Sequence, residues 1–167
     1  MGGAEPMAGR PYMPGYGIRP AAEGSGLLSW SWARRQLTDS HEYWVATTRP
    51  DGRPHLMPVW GVWLEDALWF SSGLRSRKAR NLAEQPMCAV ATDNALDPVV
   101  VEGHAEIVTG LADIGLFLDT LNAKYRTAYR IDFLDPGVNA TVRVDPVQAI
   151  GLVQRDFTGS PTRWRFR

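Results

Sequence analysis

Residues 43–72 leave the chain few ways to fold. Tyr43-Trp44-Val45-Ala46-Thr47-Thr48 is aromatic and β-branched, the make-up of a strand, and Pro50-Asp51-Gly52 behind it is a tight-turn sequence. Pro54 to Leu64 reads as the next strand, Glu65-Asp66 as another turn, and Ala67-Leu68-Trp69-Phe70-Ser71 as a third strand. Turns this short join only antiparallel neighbours, because a parallel return needs a crossover of a dozen or more residues. In the second strand one face carries Leu56, Pro58, Trp60, Val62 and Leu64, and the other His55, Met57, Val59, Gly61 and Trp63. Both faces are largely apolar, so the strand is expected to be covered on both sides. Pro58 within it implies an edge or a bulge.

The remaining chain continues the pattern. Leu28–Leu37 reads as a short helix. Arg77–Glu84 reads as another, with Ala79, Leu82 and Ala83 towards the core. Met87–Thr92 and Val99–Val108 are expected strands. A longer helix from Leu111 to about Arg126 sets Ile114, Phe117, Leu118, Leu121 and Tyr125 on one stripe. Thr141–Val144 and Ala149–Gln154 read as two more strands, and the chain closes on Arg163-Trp164-Arg165-Phe166. About seven strands and three helices, mostly joined by hairpins, predict a mainly β architecture with some α. The expected form is an antiparallel barrel with helices over its openings, not a βαβ sheet. Residues 1–26, rich in Gly and Pro, read as an extended arm, either disordered or laid across a neighbour. Tyr12, Met13 and Tyr16 favour the second, and residues 27–167 form the barrel domain.

Bulk properties narrow the function classes. The 167 residues, 44% of them apolar, suit one domain with a real core. Eighteen basic residues balance eighteen acidic ones. A general nucleic-acid or acidic-membrane binder would need a basic surplus to displace counterions. The single cysteine, Cys88, cannot close an intrachain disulfide or build a Cys-based zinc site. The start of the chain has no apolar signal core, and no stretch approaches the ~18 apolar residues of a membrane span, so a soluble cytoplasmic protein is expected.

The segment Gly73-Leu74-Arg75-Ser76-Arg77-Lys78-Ala79-Arg80-Asn81-Leu82 breaks a local rule. Ser76 is a natural N-cap, which starts the helix at Arg77. A helix N-terminus is partially positive and favours acidic neighbours, yet Arg75, Arg77, Lys78 and Arg80 crowd this one. Either the basic side chains are simply solvated, or an anion resolves the conflict, held by free N–H groups, the Ser76 hydroxyl and Lys78. Asn81 lies three residues after Lys78 and four after Arg77, so all three can address one ligand. Trp60, Trp63 and Trp69, with Gly61 and the Ser71-Ser72-Gly73 turn, place flat apolar surface beside this site. The pairing suits a phosphorylated heterocycle.

The order of strand, Pro50-Asp51-Gly52-Arg53 turn, strand, strand and then Ser76-x-Lys78-x-x-Asn81-Leu82 resembles the pyridoxamine 5'-phosphate oxidase-like split β-barrel superfamily. It is similar above all to the flavin/deazaflavin branch, whose usual cofactor is F420. The similarity spans roughly residues 28–167. It extends into the arm through Pro14-Gly15-Tyr16-Gly17 and runs to Thr162-Arg163-Trp164-Arg165-Phe166. The resemblance implies an FMN-binding split-barrel fold and a homodimer with two cofactor sites at the subunit interface. It implies that Thr47, Thr48, Met57, Pro58 and Val59 touch the ring system, that Ser71 and Ser72 lie beside the ribityl-phosphate, and that Ser76, Arg77, Lys78 and Asn81 bind phosphate. Trp164 and Arg163 would reach the site across the dimer. The chain departs from pyridoxamine phosphate oxidases in having no Lys or Arg between Arg53 and Arg75 and no His beside its closing Arg163-Trp164-Arg165. Vitamin B6 oxidation is therefore not expected.

Other groupings carry less. Glu102, His104 and Glu106 share one strand face, but ligands two apart on a strand stand ~6.6 Å apart at the backbone, so a polar exterior is expected and no metal. His55 could donate to a substrate or cofactor carbonyl, or serve as a hydrogen-bonded structural histidine. No nucleophile elbow, G-x-G-x-x-G or Walker sequence is present. The leading expectation is an F420-dependent oxidoreductase that passes a hydride to an electron-poor small molecule, with Trp60, Trp63 and Trp164 walling the substrate. The rivals are an FMN enzyme of the same fold and a non-catalytic flavin-, deazaflavin- or haem-binding protein, the last needing His41, His55 or His104 as axial ligand. The substrate itself is not legible.

Overall fold

The turn residues become hairpins with the geometry their sequence allows. In the computed structural model, which describes residues 5–167, strands β2 (Glu42–Thr48), β3 (Pro54–Leu64) and β4 (Ala67–Gly73) form a meander. Gly52 takes φ +83° at the first turn. Glu65 and Asp66 stand at φ 51° and 57° between paired Leu64 and Ala67. A two-residue hairpin whose twist matches the strands needs both central residues in this left-handed region.

Strand β1 (Met7–Gly9) lies in the arm, and β5 (Met87–Thr92), β6 (Val99–Val108), β7 (Asn139–Gly151) and β8 (Thr162–Arg165) complete the sheet. Helices α1 (Trp30–Asp39), α2 (Arg77–Glu84) and α3 (Leu111–Tyr125) cover it, with a short 3-10 turn at Ile131–Leu134. The strand order is β1-β8-β7-β4-β3-β2-β5-β6, and β6 also pairs with β7. Six antiparallel strands thus close a barrel, with β8 and β1 added along β7. No helix among the described residues is long and apolar enough to cross a membrane.

Two expected strands prove to be one. The β7 strand runs unbroken past Asp145-Pro146 because it pairs with β6 throughout, and a register shift at Glu102/Gly103 absorbs the irregularity. On its other edge β7 pairs with β4 through Val144 and with β8 from Gln148. Pro146 falls in the gap between those partners, where a missing N–H costs little. The arm lies across its own chain. Met7–Gly9 pairs with Arg163–Arg165, and the Arg10 guanidinium donates to the carbonyls of Pro161 (2.8 Å), Gly159 (2.9 Å) and Pro20 (3.0 Å). Residues 1–4 of the expected arm lie outside the described residues.

The core has three parts. Tyr43, Val45, Leu68, Phe70, Val90, Val142 and Val144 fill the barrel, with Ala79 and Leu82 of α2 sealing one end. Trp30, Ala33 and Leu37 of α1 cap the other end with Val99, Val101, Ala149 and Trp164. Ile114, Phe117, Leu118 and Leu121 of α3 pack outside β3 and β4 on Val62 and Trp69.

The barrel is split at one place. The β3 strand pairs with β2 over Pro54–Trp60 but with β4 only from Gly61 onward. Beyond Phe70, β4 pairs with β7 alone, so the two strands diverge there, and the α2 N-terminus follows directly. Pro58 sits in the stretch with a neighbour on one side only, as an internal proline demands. The expectation that β3 is covered on both faces fails over this half. Leu56, Met57 and Trp60 are exposed, and by the register Leu56 and Trp60 share an open apolar face with Trp44 of β2 and Met87 of β5, Met57 lying on the other face of the strand.

Candidate functional site

The divergence of β3 from β4 opens a cleft of about 240 Å³ lined by Pro58, Val59, Trp60, Ser71, Lys78, Leu121, Tyr129 and Phe133. Strand β3 supplies one wall, the end of β4 and the first turn of α2 the floor, and α3 with the 3-10 turn the far wall. The cleft is apolar and aromatic apart from Ser71, Lys78 and the Tyr129 hydroxyl. That combination orients a flat ligand by one charged end.

The α2 N-terminus is organised as its sequence dictates. Ser76 is the N-cap, accepting from the Ala79 N–H at 3.2 Å. The Ser72 hydroxyl donates to Ser76 at 2.9 Å and accepts from the Lys78 ammonium at 3.2 Å. Among the described residues no carboxylate lies within ion-pair distance of Lys78, Arg77 or Arg49. Burial holds the Lys78 amine below its usual range. His55 is lowered too, first by burial and then by the charges of Arg49, Lys78 and Arg77. A half-buried group of cations with no acid is an electrostatic deficit that an anionic ligand would relieve.

Orphaned polar atoms point the same way. Arg49 Nε and His55 Nδ1 are buried without a hydrogen-bond partner and can donate to an anion, whereas the unpartnered Asn81 Oδ1 is an acceptor and calls for a donor instead. Such atoms are rare in a finished interior. Asn81 is fully buried and spends its amide nitrogen on the Thr47 hydroxyl at 2.9 Å, tying α2 to β2. Its place is inside the wall behind the cleft, and it is not among the residues that line the cleft with Lys78.

The other expected site residues divide. Thr47 and Thr48 line a separate shallow groove with Ala46, Met87, Cys88 and Ala89. Met57 is exposed on the opposite face of β3 from Leu56 and Trp60. Trp60 borders the cleft, whereas Trp63 does not. The Trp63 ring is packed edge-on against Trp30 at 6.0 Å between the two barrel core groups, a core residue and not a substrate wall.

Trp164 is also corrected. It is fully buried in its own chain, 5.6 Å from Trp30, and has no surface to offer across a dimer. Arg163 points from the opposite face of β8 and pairs with Ile150, whereas Ser71 pairs with Thr141. Those two β7 positions lie ~30 Å apart along the strand, so Arg163 cannot serve the cleft of its own chain.

Sequence reading missed Leu121, Tyr129, Phe133 and Arg49. Tyr129 and Phe133 stack at 4.2 Å with an interplanar angle of 9°. Two rings four residues apart, between α3 and β7, were the available signal. The histidines are dispersed: His41 is exposed beside Glu42, His55 pairs in register with Thr47, and His104 is exposed on β6. Among the described residues no three His, Cys, Asp or Glu side chains form a metal-binding group. Glu102 instead accepts from Gln148 at 2.8 Å.

Residues 33–150 match the family described as Pyridoxamine 5'-phosphate oxidase. No curated protein matches the chain in sequence. Among solved structures, one described as an F420 reductase is 27% identical, with a TM-score of 0.58, over 70% of this chain and 94% of its own. A conserved hypothetical protein from Mycobacterium tuberculosis is 21% identical with a TM-score of 0.66, over 83% and 85% of the two chains. A NimC/NimA family protein from Clostridium acetobutylicum is 15% identical with a TM-score of 0.65, over 81% and 91%.

Proposed function

The chain belongs to the pyridoxamine 5'-phosphate oxidase family, and from that premise we propose that it is an oxidoreductase using the deazaflavin F420 to reduce an electron-poor small molecule. The observation that carries the reading is the cleft itself, in which an uncompensated lysine stands at one end of an aromatic slot. The resemblance to an F420 reductase, covering nearly all of that protein, supports the choice of cofactor. The fit is chemical as well as steric. Lys78, the N-cap Ser76 and Ser72 take a phosphoryl group at the α2 N-terminus, where free N–H groups and the helix dipole favour an anion. Pro58 and Val59 bring β3 against the ring, and Trp60 offers it a flat apolar face. When bound, the reduced deazaflavin supplies a hydride to the acceptor. The chain's own contribution is orientation and the exclusion of water by Trp60, Leu121, Tyr129 and Phe133. No carboxylate or imidazole lines the cleft; the lining groups that carry an exchangeable proton are Lys78, Ser71 and the Tyr129 hydroxyl.

The working unit is a homodimer. A cleft of about 240 Å³ is smaller than the ~300–1,000 Å³ of complete ligand pockets. The open apolar surface of Trp44, Leu56, Trp60 and Met87 adjoins it, so a second subunit on that surface would enclose the ligand. Arg163 then serves the partner's site and not its own.

A second reading, FMN in the same cleft, is favoured by the family match. Titration of the protein with F420 and with FMN, followed by tryptophan quenching and by the absorption spectrum of the purified protein, decides between them. Selective quenching by F420 is expected. Selective quenching by FMN, or a yellow preparation, reverses the choice of cofactor, and a Soret band would show haem instead.

A further inference from the structure

We infer that Tyr125 is a positioning residue that fixes the plane of Trp60, so that the open face of the indole becomes the stacking platform for the flat ring of the ligand. The inference rests on the ring-binding reading of the cleft. Trp60 borders the cleft yet is 42% exposed, so neither the barrel nor α2 holds its side chain. What holds it is the Tyr125 ring, parallel to the indole at 4.3 Å and an interplanar angle of 5°. Such a stack covers one face of the indole and leaves the other free.

Tyr125 is in turn pinned to the backbone beside Trp60. Its hydroxyl accepts from the Gly61 N–H at 2.9 Å and donates to the His41 carbonyl at 2.5 Å, with the Gly61 carbonyl also within 3.0 Å. The Lys124 ammonium donates to the Gly61 carbonyl at 3.0 Å and to the Tyr43 hydroxyl at 2.8 Å, and lies 5.5 Å from the centre of the Tyr125 ring. The His41 ring closes the group edge-on, 5.1 Å from Tyr125 and 6.4 Å from Trp60. Gly61 is required at the centre, because a Cβ there would stand 2.8 Å from the Trp69 carbonyl and 3.1 Å from the Tyr43 ring. Residues of α3 and of the turn before β2 thus converge on one indole of β3. Docking of α3 alone would not need this, since Ile114, Phe117, Leu118 and Leu121 already bury that helix.

The test is a double-mutant cycle on ring binding, with FMN and F420 as probes and riboflavin as the ring without its phosphate. Wild-type protein that binds none of the three overturns the ring-binding reading and, with it, this inference. Given wild-type binding, Tyr125→Leu is expected to weaken it about three- to tenfold. Tyr125→Phe, which keeps the stack, restores most of the affinity, and Tyr125→Leu adds nothing in a Trp60→Ala background. Wild-type affinity in Tyr125→Leu, or a loss that persists undiminished without Trp60, would overturn the inference in favour of a purely structural tyrosine. Should Tyr125→Leu fail to fold, Lys124→Met runs the same cycle: an effect that vanishes with Trp60 supports the inference, and one that does not refutes it.

Discussion

Replacing Lys78 with methionine separates a ligand-binding lysine from a structural one, because the two make opposite predictions. In the free protein the amine has a single hydrogen bond, 3.2 Å to Ser72, no acidic partner, and a protonated form disfavoured by burial. Removing it takes away one long bond and a partly desolvated charge. Ser72 keeps its bond to Ser76, and the cap on Ala79 is untouched. The two effects oppose each other, so the unfolding free energy should move by no more than about 0.5 kcal/mol in either direction. Binding should change far more. A charged hydrogen bond to a phosphoryl group contributes about 1.5–3 kcal/mol, which corresponds to roughly a 10- to 150-fold loss of affinity. Calorimetric titration with F420 and FMN, beside urea unfolding of the ligand-free protein, measures both quantities. Riboflavin, lacking the phosphate, should lose little. A variant that binds F420 and FMN as wild type does, but unfolds more easily, would show that the lysine serves the fold.

Three other outcomes follow from the structure. Burial lowers Lys124 to about 8, against 10.5 when unfolded, so the unfolded chain binds more protons between those values and stability should rise with pH across that window. Solvent screening of the half-exposed amine limits the gain to about 1–2 kcal/mol. Tyr125, raised to about 12, and Tyr43, raised further by burial, reverse the trend above pH 10 as their unfolded forms ionise. Thermal unfolding against pH should therefore pass through a maximum near 10, and Lys124→Met should remove the rising limb. Arg10→Ala strips its donors from the carbonyls of Pro161, Gly159 and Pro20. It should cost about 1–3 kcal/mol and expose residues 5–26 to limited proteolysis, and unchanged cleavage would show that β1 alone holds the arm. Leu56→Glu on the open face should shift the sedimenting species to the monomer and weaken cofactor binding with it, and a wild-type mass would place any subunit contact elsewhere.

Much of the fold was legible because its signals are local. The aromatic and β-branched make-up of β2, the apolar run of β3, the Pro50-Asp51-Gly52 and Glu65-Asp66 turns, and the Ser76 cap each act within a few residues, and each element formed close to where the pattern set it. The basic, acid-free start of α2 belongs to the same class, since a helix end and its own side chains are neighbours in sequence and in space. The split in the barrel is not local. It depends on β3 exchanging β2 for β4 as its partner near Gly61, which no short window contains. The same pairing separates tryptophans of similar local pattern, leaving Trp60 at the cleft and sending Trp63 and Trp164 into the core. It also turns Asn81 inward to Thr47 and brings Tyr129 and Phe133 across from a distant segment. Residue chemistry and short-range geometry were set by the sequence itself. Which side chains share a wall was decided only when strands far apart in the chain closed on one another, because burial is a property of the packed whole.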